Sequence, residues 1–494
     1  MSIKQIGLIL GPVLFLVFLL IPNPPGLNPE AWKVLAIAVF MLTWWVTEAV
    51  HLAVAALLPL VLLPLLGVQP LGETGYPVGP AGAFKIGDAA APYASPIVFL
   101  FMGGFMIALA MERWSLHRRI ALNIVKLTGT NADGIILGFM LATAVLSMWI
   151  SNTATTVLML PIALSVINLL VDNPSNIQEK GMRNFALSMM LGIAYAANIG
   201  GTATIIGTPP NVVFAGIMKE NFGVEVTFAQ WIIFGLPFAI LLLGITFFII
   251  VKLLHPNKLG EFEGAQEIIA REVEELGPIS KGEKRTLVIF LATAVLWIFR
   301  KTIVGYLPDG VDLSDAGIAM LATVALFVMP INFRDHQYVL AWKDTEKLPW
   351  GILLLFGGGL SLANALSETG LIKLIGDQFT GMGGAAFLII LGLAAVSLYL
   401  TEIMSNVALV AVFLPVVGAI ALGADINILQ VCIPVTLAAS CAFMLPMSTP
   451  PNAIVFASGH LKVAQMVRAG FILNIITILM VSILAEWILP LLFN

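Results

Sequence analysis

Two short polar signatures interrupt long apolar stretches, and both recur later in the chain in the same order. Ile150-Ser151-Asn152-Thr153-Ala154 is matched by Met404-Ser405-Asn406-Val407-Ala408, and Gly207-Thr208-Pro209-Pro210-Asn211 by Ser448-Thr449-Pro450-Pro451-Asn452. Serine, asparagine and threonine cap helix N-termini, and proline is at home in a helix's first turn, where its missing N–H has no partner to lose. Each signature therefore predicts a half-helix that starts inside an apolar run. A helix N-terminus carries unpaired amides and about half a positive charge, so four of them brought together favour an anion. The backbone just before the proline pairs, 198–202 and 442–446, is expected to be non-helical and either to find partners or to line a cavity. Carbonyls released there, with the hydroxyls of Ser147, Ser151 and Thr401 and the side-chain oxygens of Asn152 and Asn406, suit a hard monovalent cation. Neither signature contains Lys or Arg. An anion held there has its charge met by helix ends, side-chain amides and co-bound cations.

The elements that position these residues follow from composition. Of 494 residues, 59% are apolar and 11% charged, with a mean hydropathy of +1.00, which excludes an ordinary soluble domain. Strand-like alternation is absent, leaving helices as the spanning element. Apolar runs of crossing length, roughly 20 residues for about 30 Å of hydrocarbon, fall near 5–22, 30–47, 50–67, 95–111, 184–218, 230–254, 286–304, 314–330, 349–366, 429–457 and 468–491. Two more, near 133–170 and 384–420, are too long for one straight helix and break at the Ser-Asn signatures. Each is expected to be a re-entrant helical hairpin. The first run ends in Ile21-Pro22-Asn23-Pro24-Pro25 without a small-residue cleavage site, so it is read as a span and not as a signal peptide.

With the N-terminus in the cytoplasm and the C-terminus outside, only Lys33, Lys85, Lys219, Arg300, Lys301 and Lys373 of the 24 basic residues lie outside, as the positive-inside rule requires. The net charge of −4 is uninformative beside that asymmetry. The charged stretch 255–284 reads as a cytoplasmic linker, helical from 264 to 276, between a first half (1–254) and a second (285–494). Gly103-Gly104 and Gly357-Gly358-Gly359 precede the hairpins in the two halves. Five crossings separate the hairpin tips, an odd number, so the tips enter from opposite faces. The expected fold is an all-α polytopic membrane protein of eleven transmembrane helices and two re-entrant hairpins in inverted-topology repeats.

Other residues carry less. Glu402 is an intramembrane carboxylate beside the second tip, with a part either in coupling or in orienting the tip; Glu48 at a span boundary is expected to be structural. Trp44, Trp45 and Trp231 fit interfacial anchors. Cys432 and Cys441 share one apolar run and suit buried thiols. Five scattered histidines form no metal-ligand spacing, and the broken stretches offer no catalytic pair for an intramembrane enzyme.

These residues resemble the divalent anion/sodium symporter family, whose members include bacterial dicarboxylate transporters and the citrate and dicarboxylate carriers of animals. The match covers nearly the whole chain, and its most specific parts are 151–153, 405–407, 208–211 and 449–452. The resemblance implies a homodimer in the cell membrane, with a scaffold domain at the interface and a transport domain that moves as an elevator. It implies sodium-coupled symport of four-carbon dicarboxylates such as succinate, malate and fumarate, with sodium as the co-transported ion, no prosthetic group and no nucleic-acid partner. Sodium-independent diacid exchange on the same fold is the alternative. By the family's pattern one sodium site would use Ser147, Ser151, Asn152 and backbone around Gly200. The other would use Thr401, Met404 backbone, Asn406 and backbone around Met444. The substrate carboxylates would meet Ser151, Asn152, Thr153, Ser405, Asn406 and Val407, with Thr202 and Pro446 near them. Val407 departs from the family's Ser-Asn-Thr and removes one hydroxyl from the second tip.

Overall fold

The computed structural model describes residues 2–72, 75–129, 131–172, 179–259, 263–308 and 310–492. Residues 260–262 of the expected linker lie outside the described residues; its helix is observed as Glu263–Glu275. Among the described residues nine helices have the length and hydropathy to cross a membrane. Seven coincide with expected spans, while Gly383–Thr401 and Asn406–Gly423 are the two arms of the second expected hairpin. Two further expected crossings are shorter apolar helices, Leu52–Leu65 and Asp315–Val328.

The first half begins with α1 (Ile3–Leu20), which packs on α2 (Pro29–Thr47) and leaves most of its own apolar surface exposed. Short helices α3 (Leu52–Ala55) and α4 (Leu58–Leu65) lead to α5 (Pro96–Arg113) and the amphipathic α6 (Leu116–Leu127). The first hairpin is α7 (Ala132–Ser147) and α8 (Asn152–Asp172); α9 (Glu179–Gly201) and α10 (Pro209–Phe222) form the first broken helix, and α11 (Phe228–Phe247) closes the half. The linker helix is α12 (Glu263–Glu275). The second half repeats the plan: α13 (Lys281–Val304), α14 (Asp315–Val328), α15 (Trp350–Glu368) and α16 (Leu371–Asp377) precede a second hairpin, α17 (Ala386–Thr401) and α18 (Asn406–Gly423). A second broken helix, α19 (Ile428–Ser440) and α20 (Pro450–Phe456), is followed by α21 (Val463–Trp487). Proline sits inside both second hairpin arms, Pro161 in α8 and Pro415 in α18.

The halves interlock through their broken helices. Each hairpin packs on the broken helix of its own half, α7 on α9 and α17 on α19. The half-helices that begin with Thr-Pro-Pro cross over: α10 packs on α18 and α19, and α20 packs on α8 and α9. Around this inner group, α5 contacts α14, and α15 contacts α3 and α4. The glycines ahead of the hairpins set those approaches. A Cβ on Gly103 would stand 2.6 Å from the Ala319 side chain, and one on Gly358 only 2.1 Å from the Ala56 carbonyl oxygen.

Two expectations are corrected. The first break starts later than the sequence suggests, because α9 stays helical through Gly201 and the non-helical stretch is 202–208. Gly200 and Gly201 serve close packing instead: a Cβ at Gly200 would meet the Ala144 carbonyl oxygen at 2.3 Å. Trp45 and Trp231 are core residues, not interfacial anchors, and are 1% and 2% exposed. Their indole N–H groups donate to the carbonyls of Leu52 (3.1 Å) and Thr202 (3.0 Å), the partner a buried indole requires. Both cysteines are buried and free, as expected.

Gly358→Ala tests the helix contact: overpacking against backbone that cannot yield costs about 1–3 kcal/mol, and thermal unfolding in detergent should show a lower midpoint. Gly392→Ala, where a Cβ meets nothing within 4 Å, should leave the midpoint unchanged or raise it.

Candidate functional site

The Ser-Asn tips and the Thr-Pro-Pro starts all face one cavity of about 1010 Å³. Its lining includes Ser151–Ala154 at the start of α8, Gly207–Pro210 at the start of α10, Met404–Val407 at the start of α18 and Met447–Pro451 at the start of α20. Four half-helix N-termini thus line a single space. Three of these helices are at least 14 residues long, while α20 has only 7 and carries the weakest dipole of the four. The rest of the lining includes the apolar Trp45, Phe101, Phe105 and Ile352 and the charged Lys4, Glu48, Glu112 and Lys347, of which Lys4, Glu48 and Lys347 are exposed. Glu48 caps α2 in a left-handed conformation (φ 46°) and pairs with Lys4 at 3.2 Å, both exposed.

Beneath each tip lies the same three-oxygen cluster. Ser147 Oγ is 2.7 Å from Asn152 Oδ1 and 2.7 Å from the Ala197 carbonyl. In the second half Thr401 Oγ1 is 2.7 Å from Asn406 Oδ1 and 2.8 Å from the Ala439 carbonyl. In both, a hydroxyl ending the first hairpin arm meets the amide oxygen that starts the second arm and a carbonyl of the broken helix. One hydroxyl hydrogen serves two acceptors, so oxygen lone pairs exceed donors, a donor set that fits a hard cation. The amide nitrogens of Asn152 and Asn406 are left for a guest, because their oxygens are committed to the clusters.

The tips differ in capping. Ser151 Oγ accepts from Ala154 N at 3.2 Å, whereas Ser405 makes no side-chain cap bond. The first-turn amides at 406–408 therefore stay uncapped by side chains, which offsets the hydroxyl that Val407 lacks.

The breaks are held by Glu402 and by three asparagines to which the sequence reading gave no role of their own. Asn211 Nδ2 donates to the carbonyls of Gly201 (3.3 Å) and Thr204 (2.8 Å). Its repeat mate Asn452 donates to Ala442 and Leu445 carbonyls and to Ser448 Oγ, each at 3.1 Å. Asn198 Nδ2 reaches across to Thr449 Oγ1 at 3.0 Å, tying one broken helix to the other, and also lines the cavity. The fourth position of each Thr-Pro-Pro-Asn signature was the available signal for Asn211 and Asn452. Asn198 had none, because its partner Thr449 lies 251 residues away in the other half. Glu402, 3% exposed, accepts from the amides of Phe443 and Met444 (2.9 Å each), from Leu445 N (3.2 Å) and from Asn474 Nδ2 (2.8 Å).

Of the residues expected to meet an anion, Ser151, Asn152, Thr153, Ser405, Asn406 and Val407 line the cavity together. Thr202 and Pro446 are not part of its wall; Thr202 is fully buried and its hydroxyl donates to the Ile199 carbonyl at 2.6 Å. Of the residues expected around cations, Ser147 with Asn152 and Thr401 with Asn406 are in direct contact. The Gly200 carbonyl accepts from Ala203 N at 3.0 Å, and Met444 N is engaged by Glu402.

A chain of interlocked broken helices with paired polar tips facing one cavity is a membrane transporter in architecture, and the known proteins it resembles agree. Residues 3–494 match the sodium:sulfate symporter transmembrane region, and the chain belongs to that family. It is 39% identical to the sodium-dependent dicarboxylate transporter SdcS of Staphylococcus aureus strains RF122 and USA300, over 99% of this chain and 91% of the relative in each case. Among solved structures, the YdaH transporter of Alcanivorax borkumensis shares the fold at a TM-score of 0.57 and 13% identity, covering 92% of this chain and 98% of that one. MtrF of Neisseria gonorrhoeae shares it at 0.56 and 13%, covering 97% of each. The chain is a multi-pass membrane protein and a transporter, not an enzyme.

Removing either cluster hydroxyl strands two acceptors. Ser147→Ala and Thr401→Val should each lose about 1–3 kcal/mol of stability, read as a lower thermal-unfolding midpoint, and should gain less from added sodium than wild type. Thr401→Ser, which keeps the donor, should behave as wild type in both respects.

Proposed function

We propose that the protein is a sodium-coupled symporter of C4-dicarboxylates, with succinate, malate and fumarate as substrates, working by elevator-type alternating access. One observation carries the reading: four half-helix N-termini and two Asn amides, with no basic residue among them, converge on one cavity that has an oxygen-rich cluster beneath each tip. A small dianion finds donors from both tips at once. Two cations in the clusters offset its charge in a medium where an uncompensated charge is costly. Binding of anion and cations is then mutually dependent, which is the thermodynamic content of coupling.

The transport domain comprises the hairpins and broken helices, and the scaffold comprises α2 to α5 and α13 to α15. The eleven crossings are the seven long helices outside the hairpins, the two short ones and the two broken ones, with both hairpins re-entrant. Lys4, Glu48 and Lys347, the exposed charges of the cavity lining, belong to the side that the basic-residue asymmetry assigns to the cytoplasm. This conformation is therefore open inward. On the opposite side the two parts are clasped: Ser95 Oγ donates to Glu220 Oε1 at 2.8 Å, and Arg300, held within the scaffold by Asp315 at 3.1 Å, pairs with Glu225 at 3.0 Å. The protein acts as a homodimer in the cell membrane with a cytoplasmic N-terminus and an external C-terminus.

Reconstituted vesicles should accumulate labelled succinate against its gradient when sodium is high on the entry side. Uptake that ignores sodium and requires internal diacid would replace symport by exchange. Asn152→Ala, which removes an amide donor and a cluster oxygen together, should cut uptake at least about tenfold, as expected for lost charge-assisted bonds of about 1.5–3 kcal/mol, without loss of expression. Wild-type uptake by that variant would move the site elsewhere.

A further inference from the structure

The two halves satisfy their broken backbones in different ways. In the first, the break closes on itself: Thr202 N donates to the Ile199 carbonyl, Ala203 N to Gly200 and Gly207 N to Thr204, at 3.0 to 3.3 Å. The hairpin contributes the Met148 carbonyl, an acceptor for Thr204 Oγ1 at 2.5 Å. In the second, the position one residue beyond the cluster hydroxyl is Glu402 instead of methionine. Its carboxylate takes three consecutive amides of the break, 443 to 445, and the Asn474 side chain from α21. All four partners are donors, so both carboxylate oxygens act as acceptors. Among the described residues Glu402 makes no ion pair with Lys or Arg. The break is fixed from its other face too. Tyr195 donates to the Phe443 carbonyl at 2.7 Å, and a Cβ on Gly470 would stand 2.3 Å from that same oxygen.

A buried carboxylate without a basic partner is an expensive group to keep unless something positive compensates it. The adjacent residue, Thr401, belongs to the oxygen cluster with Asn406 and the Ala439 carbonyl, on the same two elements that Glu402 joins. We infer that Glu402 is the positioning residue of the second cation site: it holds the 441–449 break open and gives that cluster a negative charge the first cluster lacks. The two cation sites are therefore inequivalent, and the second is the tighter. The charge lies beside the cation cluster and not on the donors at the tips, which is why the sodium response and not the substrate response reports on this residue. The inference rests on the sodium-coupled reading proposed above.

Glu402→Gln keeps the size of the side chain and removes the charge, and its amide presents N–H to at least one of four N–H donors. In proteoliposomes the sodium concentration for half-maximal succinate uptake should rise about tenfold to a hundredfold, the scale seen when an outer partner of a metal ligand is lost. The succinate concentration for half-maximal uptake at saturating sodium should move less than about threefold, since the substrate's own donors at both tips are untouched. Glu402→Asp, which restores the charge, should recover part of the sodium response. Wild-type sodium half-saturation in Glu402→Gln, or an equal rise in the sodium and succinate constants, overturns the inference while leaving sodium coupling intact. Wild-type uptake that ignores sodium overturns the coupled reading itself. If Glu402→Gln does not yield folded protein, Asn474→Ala decides: a sodium half-saturation raised about threefold, for the loss of one of four donors, supports the assignment, and an unchanged value overturns it.

Discussion

Inside hydrocarbon a backbone amide or carbonyl without a partner costs several kcal/mol, so a membrane helix can be interrupted only where something else takes up its hydrogen bonds. This protein interrupts four apolar runs, at 148–151, 202–208, 402–405 and 441–449, and much of its polar inventory is spent on those interruptions. Asn211, Asn452, Asn198 and Glu402 are all directed at them. The cavity is lined by groups those bonds leave over: amides at the half-helix starts, side-chain nitrogens of Asn152 and Asn406, and oxygen clusters short of hydrogens. The proposed binding site draws on groups that the interruptions leave over, N–H donors beside oxygen acceptors.

The crossed packing of α10 and α20 couples the two halves. Each proline-led half-helix lies against the other repeat's hairpin, so neither tip can shift without its partner following. A guest that bridged both tips would therefore load one connected body. The glycine contacts at Gly103 and Gly358 lie outside it, where α5 meets α14 and α15 meets α3, and they keep the surrounding helices tightly apposed.

Repetition made the tips, the proline-led starts and the cluster oxygens legible from sequence, because packing alone gives no reason to repeat Ser-Asn and Thr-Pro-Pro-Asn in order. Single residues were legible only where a local rule applied. Glycines 200 and 201 read as a break, yet they serve close approach, Gly200 to Ala144 and Gly201 to Asn152, and sequence does not distinguish a glycine needed for conformation from one needed for space. Trp45 and Trp231 read as interfacial because the pattern of apolar residues does not reveal whether an indole finds a buried carbonyl. The work of Glu402 depends on donors about forty residues downstream at 443–445 and at Asn474, which only the folded chain brings to it.

The central claim is that anion and cations occupy this space together and depend on each other. Equilibrium binding of labelled succinate to the purified protein, titrated with sodium against choline at constant ionic strength, tests it most directly. Binding that is strong in sodium, cooperative in its concentration and absent in choline is the predicted result. Equal succinate affinity in the two salts would contradict the account.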